Sequence, residues 1–351
     1  MRSLERRRRM SVVAVHGAHS ELGRRVLGRL VEDDEVDRVL AITPRRLSPP
    51  GPEGRVEVVR GSVDRDDVRA VLAAAEVVIN LAFVAEASSS HAGRADNRIL
   101  IERLLDASVG AKAVVHVSSA SVYGAWPDNQ VPLTERSERR PNPGFAFAEH
   151  KVATERVVEQ WGADHPDATV SVLRPAAGVA EDHRSWLAGH LLQASAVESA
   201  EHDPVWQILH LDDLAAAIEQ VVRAREPGPF NVAPDGWLTG EERRALLPGR
   251  PRVRLPDPLV ASARRVRRSA RELPVGIEPY LSYPWVVSND RLRSIGWSPD
   301  WRNDEALVVA EGAPAWATLN ARQRQYASLG ALGALGAGAA AGIGWLVRRP
   351  R

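Results

Sequence analysis

Residues 10–43 read MSVVAVHGAHSELGRRVLGRLVEDDEVDRVLAIT, and this stretch decides the fold. Val12–Val15 is an unbroken apolar run of the length of a strand buried on both faces. HGAHSELG, residues 16–23, follows with glycine at 17 and 23. Leu22, Val26, Leu27 and Leu30 then recur at helical spacing, and Val39–Ile42 is the next strand. Strand, glycine turn, helix, strand is the context a phosphate-binding turn needs. Gly17 permits a sharp turn and Gly23 tight helix packing, while the N–H groups and dipole at the helix start favour an anion. The same glycine pattern alone is also what a plain strand-to-helix turn looks like.

The alternation continues outward. RVEVVRGSV is a third strand, DRDDVRAVLAAA a helix, EVVINLAF a fourth strand, and ADNRILIERLLDASVGA a helix. KAVVHVSSASVYG is a fifth strand running into a loop, FAFAEHKVATERVVEQWG a long helix, and TVSVLRPAAG a sixth strand. Strands alternating with helices specify an α/β protein with a doubly wound parallel sheet covered on both faces. Past Gly178 the pattern loosens, with helices near 185–200 and 212–225, a short strand in ILHLDDLAAAIEQVV and another in GPFNVAP. Residues 248–290 are rich in proline and arginine and read as surface excursions around the mouth of a site. The expected organisation is a disordered basic arm at 1–10, a dinucleotide-binding domain at 11–180, and a smaller α+β substrate-binding region at 181–320, packed directly on the first with some strands returning to its sheet. A glycine- and alanine-rich tail at 326–351 completes it.

Composition narrows the chemistry. The chain of 351 residues carries 46 basic and 45 acidic side chains, a formal charge of +1, so no global field argues for a nucleic-acid partner. There is no cysteine, which excludes disulfides, thiolate nucleophiles and cysteine metal sites and fits a reducing, cytoplasmic compartment. The ten histidines show no spacing that marks a metal site, and the ten tryptophans read as core. Lys112 and Lys151 are the only lysines, so a lysine at a chemically meaningful place carries weight. The N-terminal MRSLERRRRM reads as a solvated arm, or as an over-long start with Met10 as the initiator. Residues 328–347 are twenty residues without a charge, long enough to cross a bilayer, but six are glycine and six alanine. Two readings stand for this tail: a membrane anchor, with Gly338 and Gly342 as a helix-packing pair, or a loosely helical tail in solvent.

Two further motifs point to a dinucleotide. After the second strand, where an NAD-preferring site places a carboxylate for the ribose 2′-OH, the chain reads AITPRRLSP, with Arg45 and Arg46 and no acid. Guanidinium groups there suit the 2′-phosphate of NADP(H), and two solvated loop arginines would look the same. VVHVSSASVYG, residues 114–124, is followed by a helix carrying Phe147 and Lys151. With NLAF at 80–83, Asn97, LRPAAGV at 173–179, LHLDDLA at 209–215, FNVAP at 230–234 and LRSIGWSP at 292–299, the chain over roughly residues 11–302 resembles the extended short-chain dehydrogenase/reductases, the NAD-dependent epimerase/dehydratase group. The resemblance implies a Rossmann fold and an NADP or NAD cofactor.

It also implies roles. The cofactor would lie against Gly17, His19, Ser20, Leu22 and Gly23, against Arg45 and Arg46, against Leu81, Ala82 and Phe83, and against Pro175. Ser119 matches the serine that hydrogen-bonds the substrate oxygen, Lys151 the lysine that binds the nicotinamide ribose and lowers a tyrosine pKa, and Tyr123 a residue lining the site. Phe147 stands where the acid/base tyrosine belongs. Positions 147 and 151 share a helix face, and losing a general acid/base typically costs about 10²–10⁴ in rate. Ser20 stands in place of the turn's middle glycine; serine can take a right-handed conformation, so the turn is kept, but close approach of the pyrophosphate is less easy. Ser62 replaces an aspartate near the adenine, and NRILI at 97–101 lacks the small residues that usually follow the asparagine. His150, Glu149, Tyr280 and Tyr283 are the candidate substitutes for the tyrosine. Two functions follow: a dinucleotide-binding protein with impaired or altered chemistry, or an active oxidoreductase or epimerase on a sugar nucleotide or carbonyl substrate with another proton donor. The resemblance further suggests a homodimer through the helices at 98–107 and 147–160.

Overall fold

The computed structural model describes residues 10–85, 91–181, 183–247, 253–269 and 273–311. The first half alternates as its apolar runs require: β1 (Met10–His16), α1 (Glu21–Glu32), β2 (Val36–Thr43), β3 (Val56–Arg60), α2 (Asp66–Ala73), β4 (Val77–Asn80), α3 (His91–Ala107), β5 (Ala113–Val117), α4 (Ala146–Asp164) and β6 (Thr169–Pro175). Then come β7 (Ala177–Ala180), β8 (His183–Arg184), α5 (Trp186–Ala194), β9 (Val197–Ser199), β10 (Ile208–His210), α6 (Leu211–Ala224), β11 (Gly228–Val232), α7 (Gly240–Leu246), β12 (Val253–Leu255), α8 (Asp257–Ser269), α9 (Asp290–Ser294) and α10 (Asn303–Ala310). Seven strands form one parallel sheet in the order β11-β6-β5-β4-β1-β2-β3. Val13 pairs with Val39 on one side and Val77 on the other. The strand order reverses between β1 and β4, which opens a crevice at their carboxyl ends where ligands bind in such sheets.

Alternate side chains feed two cores. Val13 and Val15 join Leu27 and Leu30 of α1 and Ile218 of α6, whereas Ala14 joins Leu104 of α3 and Trp161 of α4. Beyond β6, β10-β7-β8 and β12-β9 form two small sheets, and β11 returns to the edge of the large one. The helix expected near 185–200 ends at Ala194, and β9 follows. There Glu198 is buried against Arg243 at 3.0 Å and Arg244 at 3.2 Å, an ion-pair arrangement that an extended segment delivers. The proline- and arginine-rich stretch holds α8, which buries Val260 and Arg264 one turn apart. Residues 1–9 and 312–351, and so most of the basic arm and the whole glycine-alanine tail, lie outside the described residues. Among those described, no helix is long and apolar enough to cross a membrane.

Candidate functional site

The turn after β1 is dictated by backbone clearance. Gly17 has φ +87°, and its N–H donates to the Ile42 carbonyl at 3.1 Å. A Cβ on it would stand 2.9 Å from the Ala82 nitrogen, so the β1 turn and the loop after β4 touch through glycine. A Cβ on Gly23 would stand 2.6 Å from the Ala18 carbonyl oxygen. Ser20 corrects the expectation of a right-handed residue: it is extended (φ −68°, ψ 163°) and caps α1. Its Oγ accepts from the Gly23 N–H at 3.0 Å and donates to the Gly17 carbonyl at 2.9 Å. The hydroxyl supplies the acceptor that a helix start lacks, so position 20 does not depend on glycine.

A cavity of about 570 Å³ runs along the carboxyl ends of the strands. In the order of the sheet, it is lined by Arg45 after β2, by His19, Ser20 and Leu22 at the β1 turn, by Leu81 and Phe83 after β4, by Ser118 and Ser119 after β5, and by Pro175 after β6. Phe147 and Lys151 enter from α4, one helical turn apart. Trp186 and Leu187 of α5 and Leu211 and Leu214 of α6 close the far side. Among the expected cofactor residues, Gly17, Gly23 and Ala82 shape the turn without lining the cavity, and Arg46 is exposed outside it. The neighbouring Arg45 and Arg24 charges, after burial itself, hold the His19 pKa below its ordinary value. The loop carrying Leu81 and Phe83 is pinned by Asn97, which accepts from the Val84 N–H at 2.9 Å and donates to the Val84 carbonyl at 3.1 Å.

Lys151 is buried. Its Nζ donates to the Val117 carbonyl at 3.0 Å and lies 3.9 Å from the Phe83 ring centroid. Burial pulls its pKa down to about 7, opposed by Glu155. Beneath it a polar row crosses the sheet. His16 Nδ1 lies 2.9 Å from Asn80 Oδ1, Asn80 Nδ2 lies 3.0 Å from His116 Nδ1, and His116 Nε2 lies 3.3 Å from Thr154 Oγ1. Thr154 in turn donates to the Lys151 carbonyl at 3.0 Å. This pattern needs a neutral His116 protonated on Nε2. Burial first, then the Lys151 charge, keep its pKa near 3. The sequence signal was His116 inside an otherwise apolar strand, which demands a buried partner.

Phe147 is packed into an aromatic wall. Its ring stacks on Trp186 (centroids 4.9 Å apart, 15° between planes) and meets Phe83 edge-on at 5.4 Å. Among the described tyrosines, Tyr123, Tyr280 and Tyr283 do not line the cavity. Tyr123, expected to line the site, donates to Asn231 Oδ1 at 2.7 Å and accepts from Arg174 Nη1 at 2.9 Å, outside the cavity wall, because the buried Arg174–Glu155 pair needs that hydroxyl. Burial pushes the Tyr123 pKa up to about 12. Tyr280 donates to the Ser121 carbonyl at 2.8 Å, fully buried, with its pKa also raised by burial. Tyr283, His150 and Glu149 are likewise absent from the cavity wall, and Glu149 accepts from the Gly144 N–H at 2.9 Å. Ser119 Oγ accepts from Ser121 Oγ at 2.9 Å and from the Ser121 N–H at 3.2 Å. Trp186 and Ser118 are among the lining residues that sequence reasoning missed. Trp186 lies in the loosely patterned half, and Ser118 was overshadowed by its neighbour.

The family model for the NAD dependent epimerase/dehydratase family matches residues 13–233. The chain belongs to that family. Over 320 residues it is 28% identical to the uncharacterized protein Rv0501 of Mycobacterium tuberculosis, covering 84% of this chain and 82% of that one. Among solved structures, UDP-glucose 4-epimerase from Thermotoga maritima with UDP-glucose superposes at a TM-score of 0.64 and 18% identity, over 86% of this chain and 98% of that chain. MoeE5 in complex with UDP-glucuronic acid and NAD gives 0.65 and 19%, over 85% and 96%. A tyrosine-to-phenylalanine mutant of UDP-glucuronic acid 4-epimerase from Bacillus cereus, in complex with a fluorinated substrate analogue and NAD, gives 0.63 and 14%, over 86% and 98%. At these identities the structural matches carry the fold.

Proposed function

We propose that this family member binds NADP(H) across the β1 turn and carries out hydride chemistry poorly or in altered form, because Phe147 occupies the position of the acid/base tyrosine. The carrying observation is the wall itself. The ring one turn before Lys151 has no hydroxyl, and the hydroxyls of Tyr123 and Tyr280 are bonded elsewhere.

The residues present fit a dinucleotide. The glycine turn after β1 packs against the loop after β4 with no room for a Cβ on Gly17. Gly17, Ser20 and Leu22 would hold the pyrophosphate, Arg45 a 2′-phosphate, and Lys151 and Pro175 the nicotinamide ribose. When bound, such a cofactor supplies or accepts a hydride. Lys151 positions the ribose and keeps a movable proton beside the cavity, Ser119 orients a substrate oxygen, and Phe83, Phe147 and Trp186 exclude water. The tyrosine-to-phenylalanine mutant among the structural matches was obtained with NAD, which supports binding that outlives the exchange. The runner-up, an active oxidoreductase or epimerase with a substitute donor, rests on Lys151, whose Nζ lies 5.9 Å from the Phe147 ring centroid in the cavity wall.

NADPH titrated into the protein should give a saturable fluorescence change, stronger than NADH. Phe147→Tyr should raise turnover on a suitable carbonyl substrate about 10²–10⁴-fold. Brisk turnover by the unaltered chain, with little change in the variant, would overturn the impaired-site reading. A homodimer through α3 and α4 is part of this proposal, supported by the exposed Ile99 and by the groove between Leu105, Val157 and Trp161. A monomer mass by light scattering would remove it.

A further inference from the structure

We infer that the part of the cavity beyond the cofactor takes a flat, apolar molecule with one oxygen acceptor, an aryl ketone or the corresponding alcohol, rather than a nucleoside-diphosphate sugar. The inference rests on the dinucleotide reading for how the cavity is divided. Once the α1–β2 side is given to a cofactor, the remaining wall is largely apolar, with Ala177, Gly178, Leu187, Leu211 and Leu214 beside Trp186, and it also carries His183 and Ser185, whose Oγ caps α5.

A diphosphate brings two negative charges that need cations or convergent N–H donors. Among the described lining residues, the arginines are Arg24 and Arg45, both on the α1–β2 side, and on the dinucleotide reading Lys151 is taken by the nicotinamide ribose. Three described arginines on the elements around this wall are committed to other partners. Arg184, adjacent to Ser185, donates to the Ala310 carbonyl at 3.0 Å and pairs with Glu311 at 3.0 Å. Arg174 is locked by Glu155 and Tyr123, and Arg25 by Asp212 and Glu181. His183 lines the cavity, but burial holds its pKa below the ordinary histidine value and favours the uncharged ring.

What the wall offers instead is aromatic and aliphatic surface around two adjacent serine hydroxyls, Ser118 and Ser119. The stacked Phe147–Trp186 pair and the Phe83 edge make a surface suited to a planar ring. Ser118 is 3% exposed, lines the cavity and has an Oγ with no hydrogen-bond partner among the described residues. Ser119 Oγ receives two hydrogen bonds from Ser121, which leaves its own hydrogen free to donate. Buried hydroxyls in an otherwise apolar wall are satisfied by a ligand oxygen.

The test is a tryptophan-fluorescence titration of the full chain with 2-acetylnaphthalene and with UDP-glucose, each with and without NADPH. Expected are saturable quenching by the ketone, none by UDP-glucose, and a Kd for the ketone about three- to tenfold weaker in Ser118→Ala, the loss of one neutral hydrogen bond. Saturable UDP-glucose binding without ketone binding overturns the inference, and so does the absence of binding by either ligand. The dinucleotide reading is scored separately by NADPH's own fluorescence. Ketone binding by a protein that ignores NADPH sinks that reading and with it the division of the cavity used here, whereas NADPH binding without ketone binding overturns this inference alone.

Discussion

The two sides of the cavity are built by different means. On the α1–β2 side the shape comes from backbone: Gly17 at φ +87°, Gly23 against the Ala18 carbonyl, Ser20 as cap. On the β5–α4 side it comes from side chains: Phe147 on Trp186, Lys151 under Phe83, and below them the buried Tyr123–Arg174–Glu155 network. Backbone geometry survives most side-chain exchange, so the first side tolerates drift everywhere except at its glycines. A packed wall accepts phenylalanine for tyrosine without collapse, because the ring and its contacts remain. The chain can therefore keep the shape of a dinucleotide site while the chemistry at its far side changes.

That contrast is broken most severely at Glu155. It is fully buried and receives Arg174 at 2.7 Å and Arg139 at 2.9 Å. Glu155→Gln should cost about 3–5 kcal/mol in urea unfolding, since Arg174 is left charged and uncompensated in the interior. A loss below about 1 kcal/mol would mean that the side-chain-built side does not stand on this pair.

Next is Lys151. A lysine with a pKa near 7 in the folded chain binds fewer protons than the unfolded chain between about pH 7 and 10. Stability relative to Lys151→Met should therefore rise through that window, by on the order of a few kcal/mol, and be flat below it. Parallel pH dependence in the two proteins would place the ammonium in contact with water rather than within the wall.

On the other side, Gly17→Ala should lose about 1–3 kcal/mol from backbone strain alone, and NADPH binding with it, because the new Cβ meets the Ala82 nitrogen. Fluorescence titration and urea unfolding read the two effects separately. Retained NADPH affinity would show that the turn is a plain strand-to-helix connection.

The same contrast explains what the sequence disclosed. The apolar runs of β1, β2 and β4 to β6 and the two turn glycines carry their own physical requirements, so the parallel sheet and the turn were legible. So was the Phe147–Lys151 pair, which lies one turn apart on a single helix. Ser20 was misjudged because a cap is a relation to Gly23 that residue type alone does not disclose. Tyr123 was placed in the site because its hydroxyl partners, Arg174 and Asn231, lie 51 and 108 residues away in the chain. Trp186 was missed for a similar reason: its contact with Phe147 depends on how the segment after β6 folds back. Local periodicity yields elements and turns, whereas the identity of a wall depends on long-range packing.

The smallest predicted effect sharpens the contrast at Arg45. Arg45 lines the cavity and Arg46, equally exposed, does not, and the Arg45 N–H is held by Thr43 Oγ1 at 3.0 Å, which fixes the loop. If Arg45 faces a 2′-phosphate, Arg45→Ala should weaken NADPH about tenfold, a partly solvated charge-assisted contact, and leave NADH unchanged, while Arg46→Ala changes neither. Equal weakening of both cofactors would assign Arg45 to general attraction of the pyrophosphate. An effect confined to Arg46→Ala would move the recognition of the adenosine end out of the cavity and onto the exposed loop.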